Sequence, residues 1–204
     1  MVGELGLSGV AVTVMGSAGF EVIAFSDDRA KALEDLQFVL GEGPTGDAYR
    51  AARPVLVADV SSAGLRWVQF ASAAQSQGVG GIYAFPLQLG GVRSGVLTAH
   101  CGSGRSLDGS QLRRCLVLAD SARDVLLGAV DDSQDEAHDL SRFLALRTVV
   151  YQAQGMLMVA LDVSLEEALA RLRAMAYAES MDLNKLAAEL ASGQRPMPVD
   201  RGAQ

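Results

Sequence analysis

Arg147-Thr148-Val149-Val150-Tyr151-Gln152-Ala153-Gln154-Gly155-Met156-Leu157-Met158, with Leu161-Asp162-Val163-Ser164-Leu165-Glu166-Glu167-Ala168 just beyond, is the stretch whose reading decides the architecture of this 204-residue chain. It begins as a helix carrying an Arg and an Ala-x-Gly step. It stops where Ser164, three residues before Glu167, forms a capping box that opens a second helix to about Glu179. A third helix is expected over Asp182–Ala191, ended by Gly193 with Pro196 beyond it. This is the layout of a small three-helix module rather than of an enzyme site.

From Ala137 into that stretch, Leu140, Phe143, Leu146, Val150, Ala153 and Leu157 recur at spacings of three and four, which suits a seam between two long helices. A parallel homodimer and packing on the chain's own next helix both satisfy that spacing. The acidic run Asp131-Asp132-Ser133-Gln134-Asp135-Glu136 precedes the seam and marks a division between domains.

The part before the division alternates strand and helix signals. Gly9–Met15 and Phe20–Ser26 read as a hairpin, and Arg29–Leu40 as a helix ended by Gly41. Val55–Asp59 reads as a short strand, Arg66–Gln77 as a helix, and Gly81–Leu89 with Val92–Cys101 as two strands joined at Gly90-Gly91. A long helical pattern then covers Ser110–Val130. An antiparallel sheet with flanking helices follows, so the fold class is α+β.

Composition narrows the function classes. Half of the residues are hydrophobic, enough for a sizeable core, yet no uncharged apolar run approaches membrane-spanning length. The N-terminus lacks the basic start and apolar core of a signal peptide, so neither membrane insertion nor secretion is expected and a cytoplasmic address is. The net charge of −7 argues against indiscriminate nucleic-acid binding. That deficit lies entirely in residues 1–141, since residues 142–204 hold seven basic and seven acidic side chains and leave room for a local basic face. Cys101 and Cys115 lack CxxC spacing and are expected as free thiols, and four of the seven methionines, from Met156 to Met181, as helix-packing filler.

Resemblances to catalytic motifs fail on context. Gly41-Glu42-Gly43-Pro44-Thr45-Gly46 matches GxGxxG but follows a helix and contains Pro44, so a turn is expected there. Asp27, Asp28 and Asp59 suggest a phosphoacceptor cluster, but the two lysines, Lys31 and Lys185, fall in the wrong places, leaving capping or turn bonding for Asp59. Gly91-Val92-Arg93-Ser94-Gly95 is no nucleophile elbow, and His100 and His138 lack triad or metal partners. No catalytic residue, metal site or cofactor is assigned.

Two resemblances to known families rest on these segments. Leu33 to Pro44, Pro54 to Asp59, Arg66-Trp67 and Ala84 to Gly90 occur in the order of a GAF sensor domain, over roughly residues 5–128. That resemblance implies an N-terminal GAF-like antiparallel sheet with flanking helices and a possible small-molecule ligand of unknown identity. Trp67, Phe70, Tyr83 and Phe85 are the expected pocket lining.

Arg147, Val150, Gln152, Ala153, Gln154, Gly155, Leu157 and Met158, with Glu167-Ala168, Leu172-Arg173 and Leu186-Ala187, resemble the ANTAR domain, the RNA-binding output module of transcription antiterminators. This resemblance covers about residues 140–193 and implies a C-terminal three-helix ANTAR domain that binds tandem RNA hairpins. Arg147, Tyr151, Gln152, Gln154, Gly155 and Arg173 are the expected RNA contacts, offering charge, stacking and hydrogen bonding to looped RNA. Gln154 stands where that family usually has Lys, which would remove a phosphate-contacting charge.

The expected organisation is a GAF-like sensor domain over 5–130, a helical linker over 131–141, the ANTAR domain over 142–193 and a disordered tail over 194–204, in an actinobacterial-type GAF–ANTAR homodimer. The rival is a ligand-sensing or protein-interaction dimer whose ANTAR part binds RNA weakly or not at all.

Overall fold

A computed structural model describes residues 6–16, 19–89, 92–102, 104, 106–131 and 148–198. The described residues divide in the main into an N-terminal unit, up to Asp131, and a C-terminal unit, from Thr148.

The N-terminal unit is built on five strands, β1 (Gly9–Gly16), β2 (Gly19–Phe25), β3 (Val55–Val57), β4 (Gly81–Leu89) and β5 (Val92–Cys101), in the order β2-β1-β5-β4-β3. β5 lies at the centre, antiparallel to β1 through Gly9↔His100 to Val14↔Gly95 and to β4 through Gly81↔Cys101 to Leu89↔Val92. Gly95 is dictated by that pairing, because a Cβ there would sit 2.2 Å from the Thr13 carbonyl oxygen.

Strand periodicity of two then sorts the side chains onto two faces. Ile82, Ala84, Val96 and Val55 share one face with Leu33, Ala48, Phe70 and Ala74 from helices α1 (Asp28–Leu40), α2 (Pro44–Ala51) and α3 (Val68–Ser76). Tyr83, Phe85, Leu87, Leu97, Ala99 and Cys101 share the other with Cys115 and Ala119 of α4 (Gly109–Asp131). Each fully buried large side chain here, such as Phe70 or Phe85, contributes roughly 1.5–3 kcal/mol by leaving water.

Helix α2 is absent from the sequence-based expectations, and the segment around it explains why. Gly41, left-handed at φ 71°, ends α1 by donating its N–H to the Gln37 carbonyl. Gly43, at φ 141°, runs so close to the Gln37 side chain that a Cβ would meet its Oε1 at 2.4 Å. Pro44 then starts α2. Of the GxGxxG-like segment, Gly41–Gly43 is the expected turn between two helices while Pro44–Gly46 already belongs to α2, and its Glu42 carboxylate accepts from the Gln69 and Phe70 amides to cap α3. Asp59 likewise accepts from the Ser61 amide at the head of a short 3-10 turn.

The C-terminal unit consists of α5 (Thr148–Leu161), α6 (Leu165–Ala178) and α7 (Leu183–Ala191). Val150, Ala153, Leu157, Leu169, Leu172, Leu183, Leu186 and Leu190 form its buried centre. For Val150, Ala153 and Leu157 the packing is thus within the chain, while Leu140, Phe143 and Leu146 of the same expected seam lie outside the described residues. Ser164 accepts from the Glu167 amide and Asp182 from the Asn184 and Lys185 amides, each satisfying orphan donors of a helix start. The capping box is one-sided, because the Glu167 carboxylate takes Arg171 instead.

Asp162 and Ser180, both at φ 51°, turn the chain between the helices, and α5 and α6 meet at 106°. Among the described residues no single helix is long and apolar enough to cross a membrane. The expected linker lies outside the description from residue 132, as does the expected tail from 199. Within 194–198, Arg195 is tied to Glu179 at 2.5 Å and to Glu189 at 3.4 Å.

Candidate nucleic-acid interface

Helix α5 carries the first candidate site, and its burial pattern divides the expected contacts. Positions 150, 153, 154, 157 and 161 face inward. Gln152 is exposed, and Tyr151 and Gly155 are half-buried beside it, so these three candidates share the outer side of α5. Val159 continues that side at 76% exposure. Arg147, one residue ahead of the helix, lies outside the described residues.

Gln154 departs from the expectation. It is 1% exposed, and its Nε2 donates to the Leu165 carbonyl at 2.7 Å. The reason is spacing: four residues beyond Val150 and three before Leu157, position 154 falls on the packed side of a 3.6-residue helix. A Lys–Gln difference here therefore changes an inward position, not an outward charge.

Gly155 is not demanded by packing within the unit. A Cβ at this position meets nothing within 4 Å, so internal contacts do not require it. Glycine within a helix costs about 1 kcal/mol relative to alanine. What the glycine provides is open space beside a half-buried stretch of helix backbone. Ala153, by contrast, is fully buried.

Two of the unit's described cations are engaged. Arg171 pairs with Glu167 at 2.6 Å, and Arg195, through its hydrogen bonds, holds the Glu179 carboxyl below the usual carboxylate range. Arg173 is half-buried, with its Nε shielded from solvent. Lys185 takes no ion pair among the described residues.

The expected ligand residues of the N-terminal unit do not converge. Trp67 and Phe70 pack edge-on at 6.3 Å between centroids on the face covered by α1–α3, whereas Tyr83 and Phe85 point to the α4 face. A shared aromatic pocket is excluded by strand alternation, since the sheet itself lies between the two pairs. All four are core residues at 2% exposure or less. Trp67 is further fixed by donating Nε1–H to Asp47 at 3.0 Å, under the Arg66 guanidinium.

What occupies the α1–α3 face instead is a buried polar cluster that sequence reading passed over. Glu34 accepts from Thr13 Oγ1 at 2.9 Å, Gln37 Nε2 at 2.8 Å and Thr45 Oγ1 at 2.9 Å, while Thr45 and Thr98 share a 2.9 Å hydroxyl contact. Burial pushes the Glu34 carboxyl up, and its hydrogen bonds from Thr13, Thr45, Thr98 and Gln37 oppose that shift. Farther along the same face His100 is 3% exposed with neither ring nitrogen bonded. A Cβ on Gly9 would meet Asp27 Oδ2 at 2.2 Å and His100 Nε2 at 2.6 Å, so glycine leaves the two side chains facing one another. Among the described residues no His, Cys, Asp or Glu group is suited to hold a metal ion.

With this geometry in place, comparison with known proteins adds the family. The model of the ANTAR domain matches residues 138–190. The chain carries an ANTAR domain. Its three described ANTAR helices are α5, α6 and α7.

No curated protein matches the chain. Solved structures similar to it include the GAF domain of a phosphoenolpyruvate-protein phosphotransferase from Coxiella burnetii, at 15% identity and TM-score 0.51, covering 64% of this chain and 77% of that one. A domain of a two-component sensor histidine kinase protein from Sinorhizobium meliloti follows at 16% and 0.50, covering 69% and 88%. The GAF domain of the Acinetobacter phosphotransferase gives 11% and 0.50, covering 64% and 77%. The N-terminal sheet with its flanking helices has the GAF-like fold.

Proposed function

We propose that the chain is a GAF–ANTAR regulator that binds tandem RNA hairpins and promotes transcription past a terminator. The match of residues 138–190 to the ANTAR domain carries this reading, and the outer side of α5, with Gln152 exposed and open space beside Gly155, gives it a physical surface. Stacking on Tyr151 and base-edge bonds to Gln152 suit looped RNA. Arg147 and Arg173 add charge, and Gln154 supports the surface from beneath.

In this reading residues 5–130 sense, 131–141 link and 142–193 act, in a cytoplasmic homodimer without catalytic activity. A small-molecule input to the N-terminal unit would bias two arrangements of the linker that differ in RNA affinity. The test is single-round transcription across a terminator overlapped by two hairpins: added protein raises read-through on that template and not on one with scrambled loops. Unchanged read-through, with and without cell extract as a source of ligand, would refute it.

A second reading, an interaction or ligand-sensing dimer with little grip on RNA, draws support from the ion pairs that engage Arg171 and Arg195. Under that reading, self-association persists while hairpin preference is absent.

A further inference from the structure

Gln154 is the one polar side chain among the buried positions of α5, which are otherwise Val150, Ala153, Leu157 and Leu161. A buried amide is tolerated where its donors and acceptors are bonded, and an unbonded half carries a desolvation cost of about 1–3 kcal/mol. Here only the donor half is used, on the carbonyl of Leu165, the first residue of α6, while Oε1 is buried and unbonded. The arrangement therefore serves the link to α6 and not the solvation of the amide.

That link spans the only connection between the two helices, Asp162 to Ser164, in which Asp162 is left-handed. A bond across the corner restrains the angle that the short connection alone leaves soft. Gln152, two residues before Gln154, lies about 160° round the helix from it and is exposed, and Gly155, one residue after it, lies about 100° round and is half-buried. Any rotation of α5 about its anchor moves both.

We infer that Gln154 is a positioning residue: through its bond to Leu165 it sets the angle between α5 and α6, and so orients the outer side of α5 toward RNA without touching RNA. The orienting part rests on the function proposed above; the anchoring part stands on the contact itself.

Full-length protein with Gln154→Met, of similar length but without the donor, and with Gln154→Lys, which restores a donor and adds charge, tests both parts. Affinity for a two-hairpin RNA is measured over a series of salt concentrations, at a temperature where circular dichroism shows every variant folded. Hydrogen exchange of residues 165–169 is followed in parallel. The methionine variant should bind about three- to ten-fold more weakly, the worth of one net hydrogen bond. Its salt dependence should be unchanged and its exchange in the first turn of α6 faster. The lysine variant should recover slow exchange and keep the wild-type salt dependence.

A lysine variant whose salt slope steepens by about 0.7–0.9, the signature of one added phosphate contact, would overturn the inference, as would wild-type exchange in the methionine variant. Should wild-type protein show no hairpin preference, the proposed function fails, and the exchange measurements alone decide the anchor: faster with Met and restored with Lys upholds it, no change refutes it.

Discussion

Glu34 and Thr13, 21 residues apart, meet through a 2.9 Å hydrogen bond in a part of the N-terminal unit that excludes water from both. The pair ties α1 to β1 within a buried polar cluster that also holds Gln37, Thr45 and Thr98. A carboxyl held this way has its ionisation coupled to folding.

Burial raises the Glu34 carboxyl above its ordinary value of 4.5. The folded state then holds the proton more tightly than the unfolded chain. Stability from this group is fully present below 4.5 and is lost as pH rises through the folded value. Glu34→Gln, which keeps the shape without the charge, should remove that loss. Urea unfolding from pH 4.5 to 8 should show the variant gaining on the wild type as pH rises; a constant gap contradicts the assignment. Glu34→Leu instead strands the Gln37 amide and should cost about 1–3 kcal/mol.

His100 is expected to act in the opposite direction. Burial lowers its pKa below 6.5, Asp27 opposes the shift, and Arg29 adds to it. The unfolded chain therefore takes up the proton first, and stability falls as pH drops from 6.5 toward the folded value. A His100→Asn variant should show a shallower decline between pH 6.5 and 5 by the same urea assay. Equal slopes would mean that His100 does not titrate with folding.

Gly155→Ala separates stability from function. The added methyl enters open space, so the C-terminal unit should gain up to about 1 kcal/mol. Affinity for hairpin RNA should fall, because the methyl fills the open space beside the half-buried backbone. Higher stability with unaltered binding would remove Gly155 from the RNA surface.

Cys101 and Cys115 are buried free thiols, and burial pushes the Cys115 thiol up. Thiolate is the reactive form and burial shields both sulfurs, so neither should react with a thiol reagent in native protein, and both should on unfolding. Rapid native labelling would contradict the packing on the α4 face.

Most of the fold was legible because its periodicities are local. Strand-length runs joined at Gly90-Gly91 marked β4 and β5, and apolar spacing with caps at Ser164 and Asp182 marked the C-terminal helices. Helix α2 escaped because its eight residues, with Gly46 inside, carry almost no apolar stripe; Pro44 at its first position was the available signal. The site was less legible. Tyr83 and Phe85 were correctly alike in parity, but only tertiary packing shows that α3 lies on the other face. Gln154 and Glu34 each stand at an inward spacing, four residues beyond Val150 and Ala30, and that spacing was readable. Polarity suggested an outward role for Gln154, whereas the helix period decided its position.

The most direct measurement of the central claim is titration of full-length protein with a two-hairpin RNA and a loop-scrambled control over about 50 to 200 mM salt. The account predicts tighter binding of the hairpins at every concentration, with affinity for both RNAs falling as salt increases. Equal affinity for the two RNAs throughout, or no binding at the lowest salt, would contradict it.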